Sequence, residues 1–134
     1  MKKNLGKILL FASVFAFLDQ VSKYLVQKYE LEYTQNTGVA FGIKIPFIAI
    51  LTLILIPVII YIALKELDLN NKITKISIGL ILAGALGNLI DRLSRGFVID
   101  FITVPFWPSF NFADIYISTG VLMIVIFYGK IKAT

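Results

Sequence analysis

Residues 84–114 read GALGNLIDRLSRGFVIDFITVPFWPSFNFAD, and this stretch decides the fold. It carries Asp91, Asp100 and Asp114 in a chain with only eight acidic residues. It also repeats one pattern, Asn88-x-x-Asp91 and Asn111-x-x-Asp114. Three positions apart on a helix, an amide and a carboxylate share a face. The flanking sequence is strongly apolar, which makes such polar groups costly, and ionisable residues at membrane depth by default mark function. The stretch reads as a candidate active site in a membrane protein, with the rest of the chain as its support.

Working outward, a helix is expected over residues 76–93, broken by Ser94-Arg95-Gly96. Gly79, Ala83, Gly84 and Gly87 stripe it with small residues, so a neighbouring helix can approach closely. Residues 97–102 are β-branched and aromatic and read as extended. Pro105 and Pro108 keep the next stretch irregular, with Trp107 as an interfacial anchor. Asn111 is a good N-cap residue for a last helix reaching Tyr128, with Gly129 at its end. Asp114 then falls in the first turn, at the positive end of the helix dipole. Upstream, the first helix covers residues 5–26, with Asp19 and Lys23 one turn apart as an i,i+4 ion pair at the interface. The second begins near Pro46, an acceptable first helical position, and runs to residue 64 with Pro57 inside it. Between these helices, Leu31, Tyr33 and Thr34 have strand character and Asn36-Thr37-Gly38 is a turn signal. Residues 65–75 form a polar loop with nothing that reads as chemistry. Lys2 and Lys3 ahead of an apolar run imitate a signal peptide, but no small-x-small cleavage site follows and three more spans do.

Composition agrees. The 134 residues are 58% hydrophobic, with a mean hydropathy of +0.87, and residues 1–134 make one domain. Uncharged runs fall at 8–18, 45–64, 76–90 and 115–129. Only the second fills the roughly 20 residues a spanning helix needs; the others reach that length by including polar neighbours. The fold class is an all-α integral membrane protein with four transmembrane helices and small extramembrane parts. The chain has no cysteine and no histidine. Thiol nucleophiles, Ser–His dyads, disulfides and the common zinc motifs are excluded, and the chain cannot itself be a lipoprotein. Chemistry must come from carboxylates, hydroxyls or lysines, and neither a metal nor a cofactor is expected. The net charge of +5 could suggest nucleic acid, but its distribution argues against that partner. With four spans, one side holds Lys2, Lys3, Lys7, Lys65, Lys72, Lys75, Lys130 and Lys132 against Glu66 and Asp68. The other holds Lys23, Lys28, Lys44, Arg92 and Arg95 against six carboxylates. Basic residues gather inside, so both termini are placed in the cytoplasm.

That topology brings Asp19, Asp91, Asp100 and Asp114 to one level, near the outer interface. Close carboxylates in a poorly solvated place cannot all ionise, so one of a pair should keep its proton at neutral pH. A carboxylate that accepts a proton beside an acid that donates one can activate water against a carbonyl. That is aspartic-peptidase chemistry. Two alternatives stand beside it. These groups could only tie helix ends together with Arg92 and Arg95, or they could be proton or cation sites of a small transporter. Clustering on one side, away from mid-membrane, disfavours the transporter.

Four blocks resemble the bacterial lipoprotein signal peptidases, the type II signal peptidases, in that family's order. They are Asp19-Gln20-Val21-Ser22-Lys23; residues 36–42, NTGVAFG; Gly87-Asn88-Leu89-Ile90-Asp91-Arg92 running on to Val98-Ile99-Asp100-Phe101; and Phe110-Asn111-Phe112-Ala113-Asp114. The resemblance implies four membrane helices, a small extracytoplasmic β-cradle and an amphipathic helix on the same side. It implies cleavage of prolipoproteins on the amino side of a diacylglyceryl cysteine, at the outer face of the bacterial cytoplasmic (inner) membrane. It also implies inhibition by globomycin, contact with membrane lipids and a monomer. Asp100 and Asp114 carry over as the catalytic pair, with Asn36, Gly38, Asn88, Asp91, Arg92, Asn111 and Asp19 supporting them or binding substrate. The outer segments between Asp19 and Asn36 and between Asp100 and Asp114 are shorter than the family's, which implies a reduced β-cradle.

Overall fold

The computed structural model describes residues 2–38 and 47–133. Its elements run α1 (Lys2–Lys28), β1 (Thr34–Asn36), α2 (Ile48–Glu66), α3 (Lys72–Arg95), β2 (Val98–Asp100), β3 (Ile102–Val104), β4 (Trp107–Phe110) and α4 (Phe112–Ile131). All four helices are long and apolar enough to cross a membrane. They are also longer than the sequence reading at most ends. α3 starts four residues earlier because Asn71 caps it, its side chain accepting from Ile73 N at 2.8 Å. It stops where Gly96 adopts φ 81°, a left-handed conformation that glycine takes without penalty. α4 runs through Gly129 and Lys130 to Ile131. A glycine in mid-helix is tolerated when neighbours hold the segment, and here the chain beyond it pairs with the end of α2. Asp68 N donates to Ile131 O and Ala133 N to Glu66 O.

Helix α3 is the centre of the bundle. It is the only one of the four helices, among the described residues, with most of its length buried; α2 buries Ala63 alone. Its small residues explain how the neighbours come in. A Cβ added at Gly84 would meet Ala113 O and Ile117 of α4, and one at Gly79 would meet the Phe11 ring of α1. From the other side, Gly120 of α4 lies against Ser77 O of α3. Between membrane helices such close approach supplies the packing that the hydrophobic effect supplies in water. Ile8, Ala12, Ile78, Leu82 and Ala83 form the core below, joined by Ala63, Leu67, Leu69 and Ile131. Both chain ends lie beside the α2–α3 connection: Asn4 Nδ2 donates to Asn70 Oδ1, and Lys132 bridges Leu67.

At the opposite end two small sheets cover the bundle. β1 pairs antiparallel with β2, in the register Thr34 to Asp100 and Asn36 to Val98. β3 pairs antiparallel with β4, Ile102 to Phe110 and Val104 to Trp107, with an irregularity between. The stretch around Pro105 and Pro108, expected to be irregular, supplies the turn and second strand of this hairpin instead. Pro108 is compatible because a two-stranded ribbon has only edges, where a missing N–H breaks no central ladder. Phe106 makes the turn at φ 65° and is fully exposed. No fifth helix occurs among the described residues. The motif residues 39–42 and the expected helix start at Pro46 lie outside them, and α2 begins at Ile48.

Candidate active site

Four elements deliver the polar residues to one place. Asp19, Gln20 and Lys23 come from the last turns of α1, and Asn88, Asp91, Arg92 and Arg95 from the last turns of α3. Asp100 ends β2, and Asn111 and Asp114 open α4. The carboxylates do meet at one end of the bundle, but they sort into two pairs with different partners.

Asp19 and Asp91 are fully buried around Lys23, itself fully buried. Lys23 Nζ lies 2.7 Å from Asp19 Oδ2 and 2.9 Å from Asp91 Oδ2. Arg95 Nη1 takes the other Asp91 oxygen at 2.6 Å. Gln20 Nε2 donates to Asp91 Oδ1 at 2.9 Å and to Gly87 O at 3.0 Å. Asp91 Oδ2 also accepts from Ile99 N, which joins α3 to β2. Asp19 Oδ1 accepts from Ala113 N at 3.0 Å and so caps α4 from another helix. The Asp19–Lys23 pair was expected at the interface; it is buried instead, because its side of α1 faces α3 and not lipid. Gly87 permits this, since a Cβ there would strike the Asp19 carboxylate.

Asp100 and Asp114 are held mainly by neutral donors. Asn36 Nδ2 donates to Asp100 Oδ2 at 2.9 Å and Asn111 Nδ2 to Asp100 Oδ1 at 2.6 Å. Asn88 Nδ2 donates to Asp114 Oδ1 at 2.8 Å. Asn111 and Asp114 form a capping box: each side chain accepts from the other's backbone N–H at 3.1 Å. Among the described residues no cation stands within ion-pair distance of either carboxylate. Arg92 is close enough to act on both electrostatically, but its Nη2 donates to Gly38 O at 3.0 Å. Gly38 N in turn donates to Asn36 Oδ1, so this turn links Arg92 to the amide on Asp100. Burial pushes the Asp100 carboxyl up to about 6; the charge of Asp114 adds to the rise, and the Asn36 and Asn111 bonds and Lys23 oppose it.

Both carboxylates open into a cavity of about 800 Å³ between α2, α3, α4 and the hairpin. Its walls are mostly apolar, with Leu51, Leu55 and Ile59 from α2 facing Ile81, Ile117 and Leu122. Two carboxyl groups thus border a mostly apolar chamber at a helix end, an arrangement that can exchange protons with a bound molecule.

The Signal peptidase (SPase) II family model, Peptidase_A8, matches residues 11–129. This chain belongs to the signal peptidase II family. It is 35% identical to the lipoprotein signal peptidase of Borrelia duttonii (strain Ly), covering 99% of this chain and 96% of that one. It is 36% identical to that of Moorella thermoacetica, covering 87% and 88%. A solved bacterial membrane enzyme, determined by the in meso method at 2.3 Å, superimposes with a TM-score of 0.81 at 33% identity, covering 93% of this chain and 88% of that one. The signal peptidase II assignment makes the chain a multi-pass membrane aspartic peptidase. The Borrelia alignment runs over 167 positions, more than the 134 residues available, so that relative carries residues this peptidase lacks.

Within this signal peptidase II fold, reading the sequence underrated two residues. Lys23 looked like half of an ion pair at the interface, and Gln20 was given no role. Arg95 was weighed only as a charge tying helix ends together, which its ion pair with Asp91 bears out. The available signal was a lysine and a glutamine beside an aspartate near the end of an otherwise apolar helix, where each must find a buried partner.

Proposed function

We propose that the enzyme cleaves diacylglyceryl-modified prolipoproteins on the amino side of the lipid-bearing cysteine, with Asp100 and Asp114 activating water between them. The observation that carries this is the pair itself. Two carboxylates share Asn111, face one apolar cavity, and lack the cations that neutralise Asp19 and Asp91. Asp114 is the base: it sits in the first turn of α4, where the dipole favours its negative charge. Asp100 is the acid, since burial favours its proton and a bound substrate would exclude more water.

In the forward step Asp114 takes a proton from water, the water oxygen bonds to the scissile carbonyl carbon, and Asp100 gives its proton to the carbonyl oxygen. In the return step Asp114 hands its proton to the amide nitrogen, the C–N bond breaks, and Asp100 recovers a proton from the diol as the new carboxyl forms. One water is consumed, and both aspartates return to their starting protonation states. The lipid anchor would hold the scissile bond at the level of the carboxylates, which turns recognition into positioning.

Basic residues cluster at the end that carries both termini, which supports a cytoplasmic location for them and an extracytoplasmic active site in the inner membrane. Asn36, Asn88, Arg92, Asn111 and Gly38 serve as supports of the pair, and globomycin-type inhibitors would compete for the same cavity in a monomeric enzyme. The test is incubation of purified enzyme with a lipidated prolipoprotein and with its unlipidated form, followed by mass spectrometry of the products. The expected result is one cut, immediately before the lipidated cysteine, and none without the lipid. A cut elsewhere, or equal cutting of both forms, would reject the proposal.

A further inference from the structure

Among the described residues Lys23 is the largest fully buried side chain. An ammonium group has three donors and no acceptor, and in this position it has three acceptors: Asp19 Oδ2 at 2.7 Å, Asp91 Oδ2 at 2.9 Å and Asn88 Oδ1 at 3.2 Å. Two carboxylates satisfy the charge of the lysine. The third bond goes toward the reacting groups.

Because Lys23 can only donate, the Asn88 atom it meets is the carbonyl oxygen. The Asn88 NH2 is therefore turned toward Asp114 Oδ1, 2.8 Å away. The same Asn88 oxygen accepts from Asn111 Nδ2 at 3.1 Å, and that NH2 also donates to Asp100 Oδ1 at 2.6 Å. We infer that Lys23 is a positioning residue for the peptidase reaction: by donating to the Asn88 oxygen it fixes the sense of the Asn88 amide, so that Asp114 faces the Asn88 N–H, while Asn111, oriented by the Asp114 N–H on its own oxygen, presents its NH2 to Asp100. The inference rests on Asp100 and Asp114 being the catalytic pair.

Turned over, Asn88 would set a carbonyl oxygen against the Asp114 carboxylate, acceptor against acceptor. Asp114 could then keep that contact only by holding a proton, and a protonated Asp114 cannot take one from water. Asn111 offers the same Asn88 oxygen a neutral donor, but the bond from Lys23 is charge-assisted and the stronger of the two in kind. The groups around Lys23 are Asp19 on its own helix, Asp91 with Arg95 behind it on α3, and Asn88. β2 and α4 contribute the backbone N–H groups of Ile99 and Ala113 to the two aspartates.

Lys23→Arg separates this role from that of a buried ion pair. A planar guanidinium keeps the charge and can pair with Asp19 and Asp91, but it cannot aim three N–H groups from one nitrogen at three oxygens. The expected result is a folded variant with near wild-type thermal stability in detergent. Its kcat on a lipidated prolipoprotein falls by about tenfold or more while KM stays nearly constant. A second variant combines Lys23→Met with Asp19→Asn, removing one buried charge of each sign. It should show the same fall in kcat, because the donor that orients the Asn88 amide is gone. Wild-type kcat in either folded variant, a loss confined to KM, or failure of both variants to fold would each overturn the inference. Asp100→Asn and Asp114→Asn run in the same assay keep the two questions apart. If those variants still cleave, the catalytic pair is wrong; if they are inactive while Lys23→Arg is normal, only the role of Lys23 is.

Discussion

Two aspartate pairs lie side by side here, and Asn88 touches both neighbourhoods. Asp19 and Asp91 are fully buried and bound to Lys23 and Arg95. Asp100 and Asp114 border a cavity and are bound by asparagine amides and backbone N–H groups. The residue type is the same, and the partner decides what it can do. A carboxylate paired with a buried cation is tied to that partner, since breaking such a pair strands the cation in a poorly solvated place. A carboxylate held by neutral amides can gain or lose a proton without stranding a buried cation, because an amide supplies donors without supplying charge. The first pair holds helix ends together; the second is the one proposed to move protons.

The contrast can be broken most forcefully at Asp91. Asp91→Asn should destabilise the protein by about 3 kcal/mol or more, because Lys23 and Arg95 lose a shared buried partner. Thermal unfolding in detergent measures this, and a stability change near zero would mean that the cluster is not an obligatory knot. Next in size is Asn111→Ala, which removes both the amide on Asp100 and the cap of α4. Cleavage should fall about a hundredfold, a loss of the order expected when catalytic groups are misplaced, with a capping cost of about 1 kcal/mol in stability.

A subtler test uses pH. The Asp100 carboxyl is raised from 3.8 to about 6, by burial first and by Asp114 second. The folded state therefore holds a proton that the unfolded chain has already released. That contribution to stability is complete below about pH 4 and is lost as pH rises through about 6. Melting temperature followed from pH 4 to pH 7 should decline more in the wild type than in Asp100→Asn, which has no such proton. Parallel curves would show that Asp100 ionises as freely as an exposed carboxyl. The smallest effect is expected at the far end of the bundle, where Asn71→Ala removes the cap of α3 for about 1 kcal/mol and leaves cleavage unchanged.

Much of this was legible beforehand because local chemistry carried it. Asn111 as a cap, Gly96 as a helix stop and four apolar spans depend on nearest neighbours, and all are in the structure. What escaped depended on how a helix is turned about its axis. α1 is apolar on nearly every side, so a lysine one turn from an aspartate reads alike whether it faces lipid headgroups or α3. In water, an amphipathic stripe would mark the buried side; in a membrane, lipid and protein interior are equally apolar and the stripe fades. Lys23 was therefore misplaced outward. The hairpin of β3 and β4 was missed for another reason: Pro105 and Pro108 argue against a central strand, and a two-stranded ribbon has none.

The central claim is that Asp100 and Asp114 are the pair that exchanges protons and that Asp19 and Asp91 are not. Single-turnover cleavage of a lipidated prolipoprotein, with melting temperature recorded on the same preparations, decides it for Asp100→Asn, Asp114→Asn and Asp91→Asn. The account predicts that the first two variants fold and lose about a hundredfold to ten-thousandfold in rate, whereas Asp91→Asn loses mainly stability. A folded Asp100→Asn or Asp114→Asn that still cleaves within tenfold of wild type would contradict it.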